Sequence, residues 1–133
     1  EKNAQENNCS EYIKTEKADV FDWIRKQTSG PELIVLDPPS FVKDSSSKWG
    51  ALKGFKDLNL RAMKLLPRGG MLVSCSCSHH ISEKDYEEML RSAAHDVRRD
   101  LHILERKGPA GDHSAQLSFP EGRYLQAWYM RML

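Results

Sequence analysis

The sequence lacks a run of apolar residues long enough to cross a membrane, since no stretch approaches the roughly 20 apolar residues that a spanning helix needs. It begins with the polar residues E-K-N, which do not resemble a secretory signal peptide. Cysteine is scarce: Cys9, Cys75 and Cys77 are an odd number without the spacing of a disulfide framework. We therefore expect reduced thiols, no membrane association and a cytoplasmic location.

The chain also lacks a strong charge of either sign and any glycine-rich G-x-G loop. The net charge is +1, so a nucleic-acid-binding surface would have to be local. With 133 residues, of which 39% are hydrophobic and 29% charged, the composition is that of one globular domain with a real core. No internal repeat or boundary divides residues 1–133.

The most informative stretch is an apolar run that ends at an acid and two prolines. Residues 33–37 predict a strand buried on both faces, and Pro38, Pro39 and Phe41 follow it. Because proline cannot donate to a β-ladder and restricts the residue before it, the strand must end at Asp37. Ligands bind at this carboxyl end in open α/β sheets, and a rigid Pro-Pro next to an aromatic ring suits a flat nucleobase. The same pattern also fits an ordinary loop after a strand.

The remaining pattern alternates strands and helices. Apolar residues at the helical repeat predict helices, and short apolar runs predict strands. The predicted order is a strand at 10–14, a helix at 20–26, the strand at 33–37, a polar loop at 42–50, a helix at 54–66, a strand at 71–77, a helix capped by Ser82 and ending near Arg98, a strand at 101–105, a loop at 108–122 and a strand at 123–132. This alternation implies an α/β fold with a doubly wound, mostly parallel sheet, in which the last two strands form an antiparallel edge pair.

Four motifs occur in an order that is characteristic of one enzyme family. They are LDPPSF at 36–41, GFKDLN at 54–59, RGGMLVSCSCS at 68–78, and DH at 112–113 followed by FPEGRYL at 119–125. Together they resemble the C-terminal part of bacterial S-adenosylmethionine-dependent methyltransferases of the 23S ribosomal RNA cytosine-5 type. The resemblance implies a Rossmann-like methyltransferase fold with an antiparallel final strand, and ribosomal RNA as substrate. Because family members carry a Gly-rich cofactor loop and an N-terminal RNA-binding domain, we expect those parts to precede Glu1.

The same resemblance implies roles for six residues. An acid would hydrogen-bond the adenine amine of S-adenosyl-L-methionine, and the acid-Pro-Pro-aromatic motif would flank both the transferred methyl group and the target base. A cysteine would act as the nucleophile. The implied sets are Cys77 and Asp37 for catalysis, Pro38, Pro39 and Phe41 for substrate binding, and Asp19, Asp37 and Pro38 for cofactor binding.

Methylation of cytosine at C5 explains why a cysteine would be needed. C5 is a poor nucleophile until a thiolate adds at C6, after which C5 can attack a methyl sulfonium. His79, His80 and the start of the helix after Ser82 could supply positive charge near Cys77. Two other interpretations stay open, namely Cys77 as a small buried hydrophobe and the C-x-C-x-H-H segment as a zinc site. That spacing is unusual for zinc, so we predict no metal.

Two other functions fit parts of the sequence. An acid-Pro-Pro-aromatic motif also serves methylation of the amino group of adenine or guanine, which needs no cysteine. The chain could instead be a non-catalytic α/β module. Without the first half of the sheet, strand 33–37 would expose an unpaired edge, so we predict a homodimer or larger assembly through that edge.

Several residues are assigned ordinary structural roles. Asp19 is also a suitable N-cap for the helix that follows it. Asn59 and its charged neighbours are expected on a solvated helix face, and Arg98 and Arg99 are expected to be exposed charges. Trp49, like the other tryptophans, is expected to be a core residue or a partly buried anchor.

Overall fold

A computed structural model of the chain describes residues 2–41 and 47–133. None of the helices in these two ranges is long and apolar enough to span a membrane. The elements are helices α1 (Lys2–Glu6), α2 (Val20–Lys26), α3 (Lys48–Leu65) and α4 (Glu83–Asp96), strands β1 (Leu33–Leu36), β2 (Met71–Ser76), β3 (Leu101–Lys107) and β4 (Gln126–Met132), and 3-10 turns at Ser10–Tyr12 and Pro120–Gly122.

The four strands form one sheet in the order β1-β2-β4-β3. Strand β1 is parallel to β2, with Leu36 beside Ser74, whereas β4 is antiparallel to both β2 and β3. Three strands therefore share one direction and only the last strand runs against them. This confirms the predicted α/β class and the antiparallel final strand. The predicted antiparallel pair also forms, with β3 at the edge and β4 inside the sheet.

Helices α3 and α4 pack on one face of the sheet and form the core with it. Leu58, Ala62 and Leu66 are buried along one side of α3, as the helical repeat predicts. Helix α4 begins at a capping box, in which the Asp85 N–H donates to Ser82 Oγ at 3.2 Å and the Ser82 N–H donates to Asp85 Oδ2 at 3.1 Å. Large side chains from both layers complete the core: Phe55, Met63, Leu72, Tyr86, Leu90, Trp128, Met130 and Met132.

Strand β1 lies at the edge of the sheet, and its outer face is open. Leu33 and Val35 are 52% and 58% exposed, whereas Leu36 is buried on the helix side. The prediction that both faces of this strand are buried is therefore wrong for this chain, because the helices cover only one face. Among the strands of the described ranges, only β2 pairs with β1, which leaves the other edge of β1 open.

The predicted strand at 10–14 is wrong as well. The chain forms a 3-10 turn at Ser10–Tyr12, and the Ile13 N–H donates to the Ser10 carbonyl at 3.3 Å. Both Tyr12 and Ile13 are exposed. Because the sheet described above has no strand beside this segment, the backbone satisfies its hydrogen bonds locally.

Helix α3 starts earlier than the sequence predicts, at Lys48 instead of Gly54. Burial of Ala51 and Leu52 stabilises the additional helical residues 48–53, and this stabilisation outweighs the low helix propensity of glycine in this segment. The predicted polar loop at 42–50 is thus shorter, and its residues 42–46 lie outside the described residues.

Candidate active site

The carboxyl ends of β1 and β2 lie side by side and carry the predicted acid and cysteines. The register pairs Leu36 with Ser74, so Asp37 follows β1 at the level of Cys75 on β2. Burial raises the pKa of the Cys75 thiol, and the nearby Asp37 carboxylate and Cys77 thiol raise it further. We call Asp37, Cys75 and Cys77 the strand-end site. Asp37 thus lies level with Cys75, and Cys77 follows two residues later, just beyond the end of β2; a shared role of Asp37 and Cys77 remains a prediction.

Side chains alternate along the end of β2 between two different environments. Cys75 and Cys77 are half-buried free thiols, whereas Ser74, Ser76 and Ser78 are buried. Because successive side chains of a strand point to opposite faces, Cys75 lies on the open face of the sheet and Ser74 and Ser76 lie on the face that the helices cover. Cys77 itself is half-buried and therefore accessible in part, whereas a cysteine with a purely structural role in the core can be fully buried.

Two histidines follow the strand-end site. His79 is exposed and His80 is half-buried, and their ring centroids are 3.8 Å apart. They lie between Cys77 and the start of α4 at Glu83. The described residues contain no group of three or more metal-ligating side chains.

The Phe41 ring packs inward instead of projecting from the strand-end site. Its centroid lies 4.9 Å from that of Phe55 in α3 and 6.0 Å from that of Phe21 in α2. Such ring pairs stabilise packing by roughly 0.5–1.5 kcal/mol beyond the buried area. The ring thus anchors the segment that carries half-buried Pro38 and exposed Pro39. Contact of these three residues with a base remains a prediction.

Asp19 caps α2, as one of the two sequence interpretations predicts. Its Oδ1 accepts hydrogen bonds from the Phe21 N–H at 2.9 Å and the Asp22 N–H at 3.2 Å. The Phe21 ring contacts Phe41, so the start of α2 and the loop after Asp37 are neighbours. The carboxylate of Asp19 is exposed, and its role toward an adenine amine remains a prediction.

A buried polar cluster lies behind the strand-end site, and sequence reasoning missed it. The Tyr86 hydroxyl of α4 lies 2.7 Å from Ser74 Oγ, donates to the Cys75 carbonyl at 3.0 Å and also interacts with the Asn59 side chain. Burial raises the pKa of Tyr86 to about 12, so the phenol stays protonated. The expectation that Asn59 is solvated is wrong: it is buried, and its Nδ2 donates to the Phe55 carbonyl at 2.9 Å. The sequence signal that could have revealed this cluster is the alternation S-x-S-x-S at 74–78, which puts small polar side chains at the end of an otherwise apolar strand.

Three buried polar atoms next to this cluster lack a hydrogen-bond partner in residues 2–41 and 47–133: Asn59 Oδ1, Ser76 Oγ and Ser78 Oγ. Native structures satisfy most buried polar groups, so each exception requires an explanation. Their position under the strand end that carries Cys77 indicates that β2 is not optimised for stability alone.

The clearest hollows of the described residues lie elsewhere. One is between α4 and β3, beside Leu90, Ile103 and Trp128. Another lies between α3 and α4 beside Trp49, which is 72% exposed and therefore neither a core residue nor a partly buried anchor as predicted. The strand-end site is an open surface formed by neighbouring strand ends.

Proteins with related sequences are longer methyltransferases. The ribosomal RNA large subunit methyltransferase I of Erwinia tasmaniensis is 37% identical over 121 residues, which are 89% of this chain and 31% of that protein. The protein of the same name from Shewanella frigidimarina is 37% identical over 125 residues, covering 92% of this chain and 32% of that protein. The chain thus spans about a third of the length of the curated relatives it matches, which confirms the recognised resemblance to a part of such methyltransferases. No protein-family model matches the chain.

Solved structures with the same fold carry methyltransferase names. A candidate S-adenosylmethionine-dependent methyltransferase from Streptococcus mutans has a TM-score of 0.69 at 17% identity, over 86% of this chain and 29% of that one. The N-methyltransferase NodS from Bradyrhizobium japonicum, in complex with S-adenosyl-L-homocysteine, has a TM-score of 0.60 at 14% identity, over 97% of this chain and 59% of that one. At these identities the likeness concerns the fold alone, and it confirms the predicted Rossmann-like methyltransferase fold.

Proposed function

We propose that this chain is the C-terminal portion of the catalytic domain of an S-adenosylmethionine-dependent methyltransferase that modifies cytosine C5 in ribosomal RNA. The observation that supports the proposal is the strand-end site, in which Asp37 and Cys75 lie level at the ends of two parallel strands and the half-buried Cys77 follows two residues later. The sequence likeness to large subunit ribosomal RNA methyltransferases supports the substrate class.

Cys77 is proposed as the nucleophile of a reaction in which a covalent bond between enzyme and cytosine forms and is later broken. Its thiolate adds to C6 of the cytosine, forming a C–S bond and making C5 nucleophilic. S-adenosylmethionine, when bound, would supply the methyl group that C5 takes up: the methyl–sulfur bond breaks as the C–C bond to C5 forms, and S-adenosylhomocysteine is the leaving group. A base then removes the C5 proton, the C–S bond breaks, and the thiolate of Cys77 is regenerated. Asp37 is proposed to orient the target cytosine from the neighbouring strand end.

Asp19, Asp37 and Pro38 are proposed to hold the cofactor. Both backbone hydrogen bonds to Asp19 use Oδ1, so in the described part of the chain Oδ2 can accept a hydrogen bond from an amine. The ring contact between Phe21 and Phe41 makes the start of α2 and the loop after Asp37 neighbours, which supports a shared role for the two acids. A pair of exposed carboxylates fits the adenine amine and the charged sulfonium of S-adenosylmethionine.

Replacement of the two thiols tests the nucleophile. We expect Cys77→Ser in the full-length protein to abolish transfer of a labelled methyl group to cytosine in ribosomal RNA. The matched control is Cys75→Ser, two residues earlier on the same strand, which should retain transfer. Retention of methylation by Cys77→Ser, with the label on an amino group, would favour the alternative function as an amino-group methyltransferase.

Calorimetric titration with S-adenosylhomocysteine tests the cofactor. We expect saturable heat with the full-length protein and weaker binding by Asp19→Asn. Asp22→Asn is the matched control, because Asp22 is an exposed carboxylate three residues later that pairs with Arg25 at 3.6 Å. The absence of heat with the unchanged protein would favour the non-catalytic module.

Self-association through β1 is proposed for the chain of 133 residues. The support is the open edge of β1 and the exposure of Val35, since unpaired edges recruit other strands. Light scattering should give at least twice the monomer mass of 15.2 kDa, and Val35→Glu should restore the monomer. Leu117→Glu, at a loop residue that is 94% exposed, is the control that should leave the assembly intact. A monomeric unchanged chain would contradict this proposal.

A further inference from the structure

The contacts of Tyr86 connect α4 to the strand end that carries the thiols. The Tyr86 side chain is buried, and its ring packs against those of Phe55 at 5.5 Å and Trp128 at 6.4 Å between centroids. Its hydroxyl lies 3.0 Å from the Cys75 carbonyl. Cys77 follows two residues later, so the backbone that Tyr86 contacts leads directly to the candidate nucleophile.

The donors and acceptors around this hydroxyl have only one consistent assignment. A carbonyl oxygen can only accept, so Tyr86 must donate its one proton to Cys75. Ser74 Oγ, 2.7 Å away, must then be the donor to Tyr86 Oη. The hydroxyl is thus fixed by ring packing on one side and by hydrogen bonds on the other. Asn59 Oδ1 beside it has no partner within the described residues, but the hydrogen bonds of the hydroxyl itself are made, and buried hydrogen bonds of this kind hold their members in one arrangement.

We propose that Tyr86 is a positioning residue for Cys77, whose hydroxyl holds the Cys75 backbone and thereby sets the place of the Cys77 thiol at the end of β2. The consequence for catalysis rests on the function proposed above, whereas the effect on the thiol does not. Displacements of about 1 Å at a reacting group can lower a rate on the order of a hundredfold, so a hydrogen bond outside the reaction can matter for it.

The experiment compares Tyr86→Phe with Ala93→Gly in the full-length protein. Phenylalanine keeps the ring contacts and removes only the hydroxyl. Ala93 is buried on the same helix, and a glycine inside a helix destabilises the fold while leaving the side chain of Tyr86 unchanged. Two rates are measured: alkylation of Cys77 by iodoacetamide, followed by peptide mass spectrometry, and single-turnover methyl transfer to ribosomal RNA.

We expect Tyr86→Phe to raise the alkylation rate of Cys77 about tenfold, and to lower methyl transfer about tenfold to a hundredfold with little change in KM. Ala93→Gly should leave both rates of the folded protein within about twofold of the unchanged protein. Equal rates in the two variants would overturn the proposal, and so would slower methyl transfer with unchanged alkylation.

If the unchanged protein transfers no methyl group to cytosine, the proposed function fails, but a faster alkylation in Tyr86→Phe still supports the positioning role. Should Tyr86→Phe not fold, Tyr86→Met also removes the hydroxyl while keeping an apolar side chain; it is expected to raise the alkylation rate of Cys77 likewise, and no rise there would overturn the proposal.

Discussion

The serines on the inner face of β2 allow a paired test in which the same substitution should act in opposite directions at two sites. The Ser74 hydroxyl lies 2.7 Å from Tyr86 Oη. The Ser76 hydroxyl is equally buried but has no hydrogen-bond partner within the described residues. We therefore expect Ser74→Ala to destabilise the fold and Ser76→Ala to be neutral or stabilising.

The size of each effect follows from these contacts. Ser74→Ala removes one neutral hydrogen bond, and the Tyr86 hydroxyl still donates to the Cys75 carbonyl at 3.0 Å. The loss should therefore be that of a single bond, about 0.5–1.5 kcal/mol. Ser76→Ala removes a buried oxygen whose unpaired state costs roughly 1–3 kcal/mol, and it keeps Cβ in place. Allowing for partial relaxation around that oxygen, we expect a gain of about 0–2 kcal/mol.

Urea unfolding of the two variants in parallel measures the difference. The free energies of unfolding are compared by linear extrapolation, and equal slopes would show that the compactness of the unfolded state is unchanged. Ser92→Ala, at an exposed position of α4, is the control and should stay within about 0.5 kcal/mol of the unchanged protein. If Ser76→Ala destabilised the fold as much as Ser74→Ala, the Ser76 hydroxyl would have a partner, and the interpretation of β2 as partly unsatisfied would be refuted.

Three further substitutions test the helix termini. Arg99 donates a guanidinium hydrogen bond to the Leu66 carbonyl at the end of α3, so Arg99→Ala should lower the free energy of unfolding in urea by about 1.5–3 kcal/mol. Arg98 has a φ of 54°, which glycine adopts without strain. Arg98→Gly should therefore raise the free energy of unfolding by up to about 1 kcal/mol, which a higher midpoint of thermal unfolding would show. Burial acts to raise the pKa of Asp85, but its hydrogen bonds, first of all with Lys48, outweigh burial and lower that pKa below its usual value. A carboxyl whose folded-state pKa is lowered stabilises the fold above the unfolded pKa of about 4 and loses that effect as the pH falls through the folded value. Asp85→Asn should therefore reduce stability at pH 7 and flatten its decline below about pH 4.

The sequence predicted correctly those helix and strand boundaries that depend on residues close to them in the chain. The Ser82 capping signal gave the start of α4, and the apolar repeat gave the buried side of α3. The prolines gave the end of β1 within one residue. Two failures have a common reason, because they depend on which neighbours exist. Within residues 2–41 and 47–133, no strand lies beside the segment at 10–14, and the outer face of β1 is exposed.

The candidate site was predictable only in part. Because parallel strands share their carboxyl ends, the sequence could predict that the segments after β1 and β2 are neighbours, and the register places Asp37 level with Cys75; the role of Cys77 stays a prediction. The environments of Tyr86 and Asn59 could not be read from single positions, because a polar residue on a helix is usually solvated. Likewise, Arg99 belongs to a basic pair that reads as exposed charge, yet its guanidinium is half-buried against the end of α3.

The composition of β2 argues that this strand is shaped by more than stability. A strand whose inner face meets two packed helices would be most stable with branched apolar residues at every inward position. Instead, Ser74 and Ser76 on its inner face and Ser78 just beyond its end carry buried hydroxyls, and those of Ser76 and Ser78 are unpaired within the ranges that the structure describes. Small side chains there leave room for the Tyr86 hydroxyl to reach the Cys75 backbone. Ser76→Val should accordingly raise the free energy of unfolding in urea, because it replaces an unpaired buried hydroxyl by a branched apolar side chain, whereas the larger side chain next to Cys75 in the chain should displace the Cys77 thiol and slow methyl transfer. A variant in which stability and methyl transfer fell together would contradict this argument.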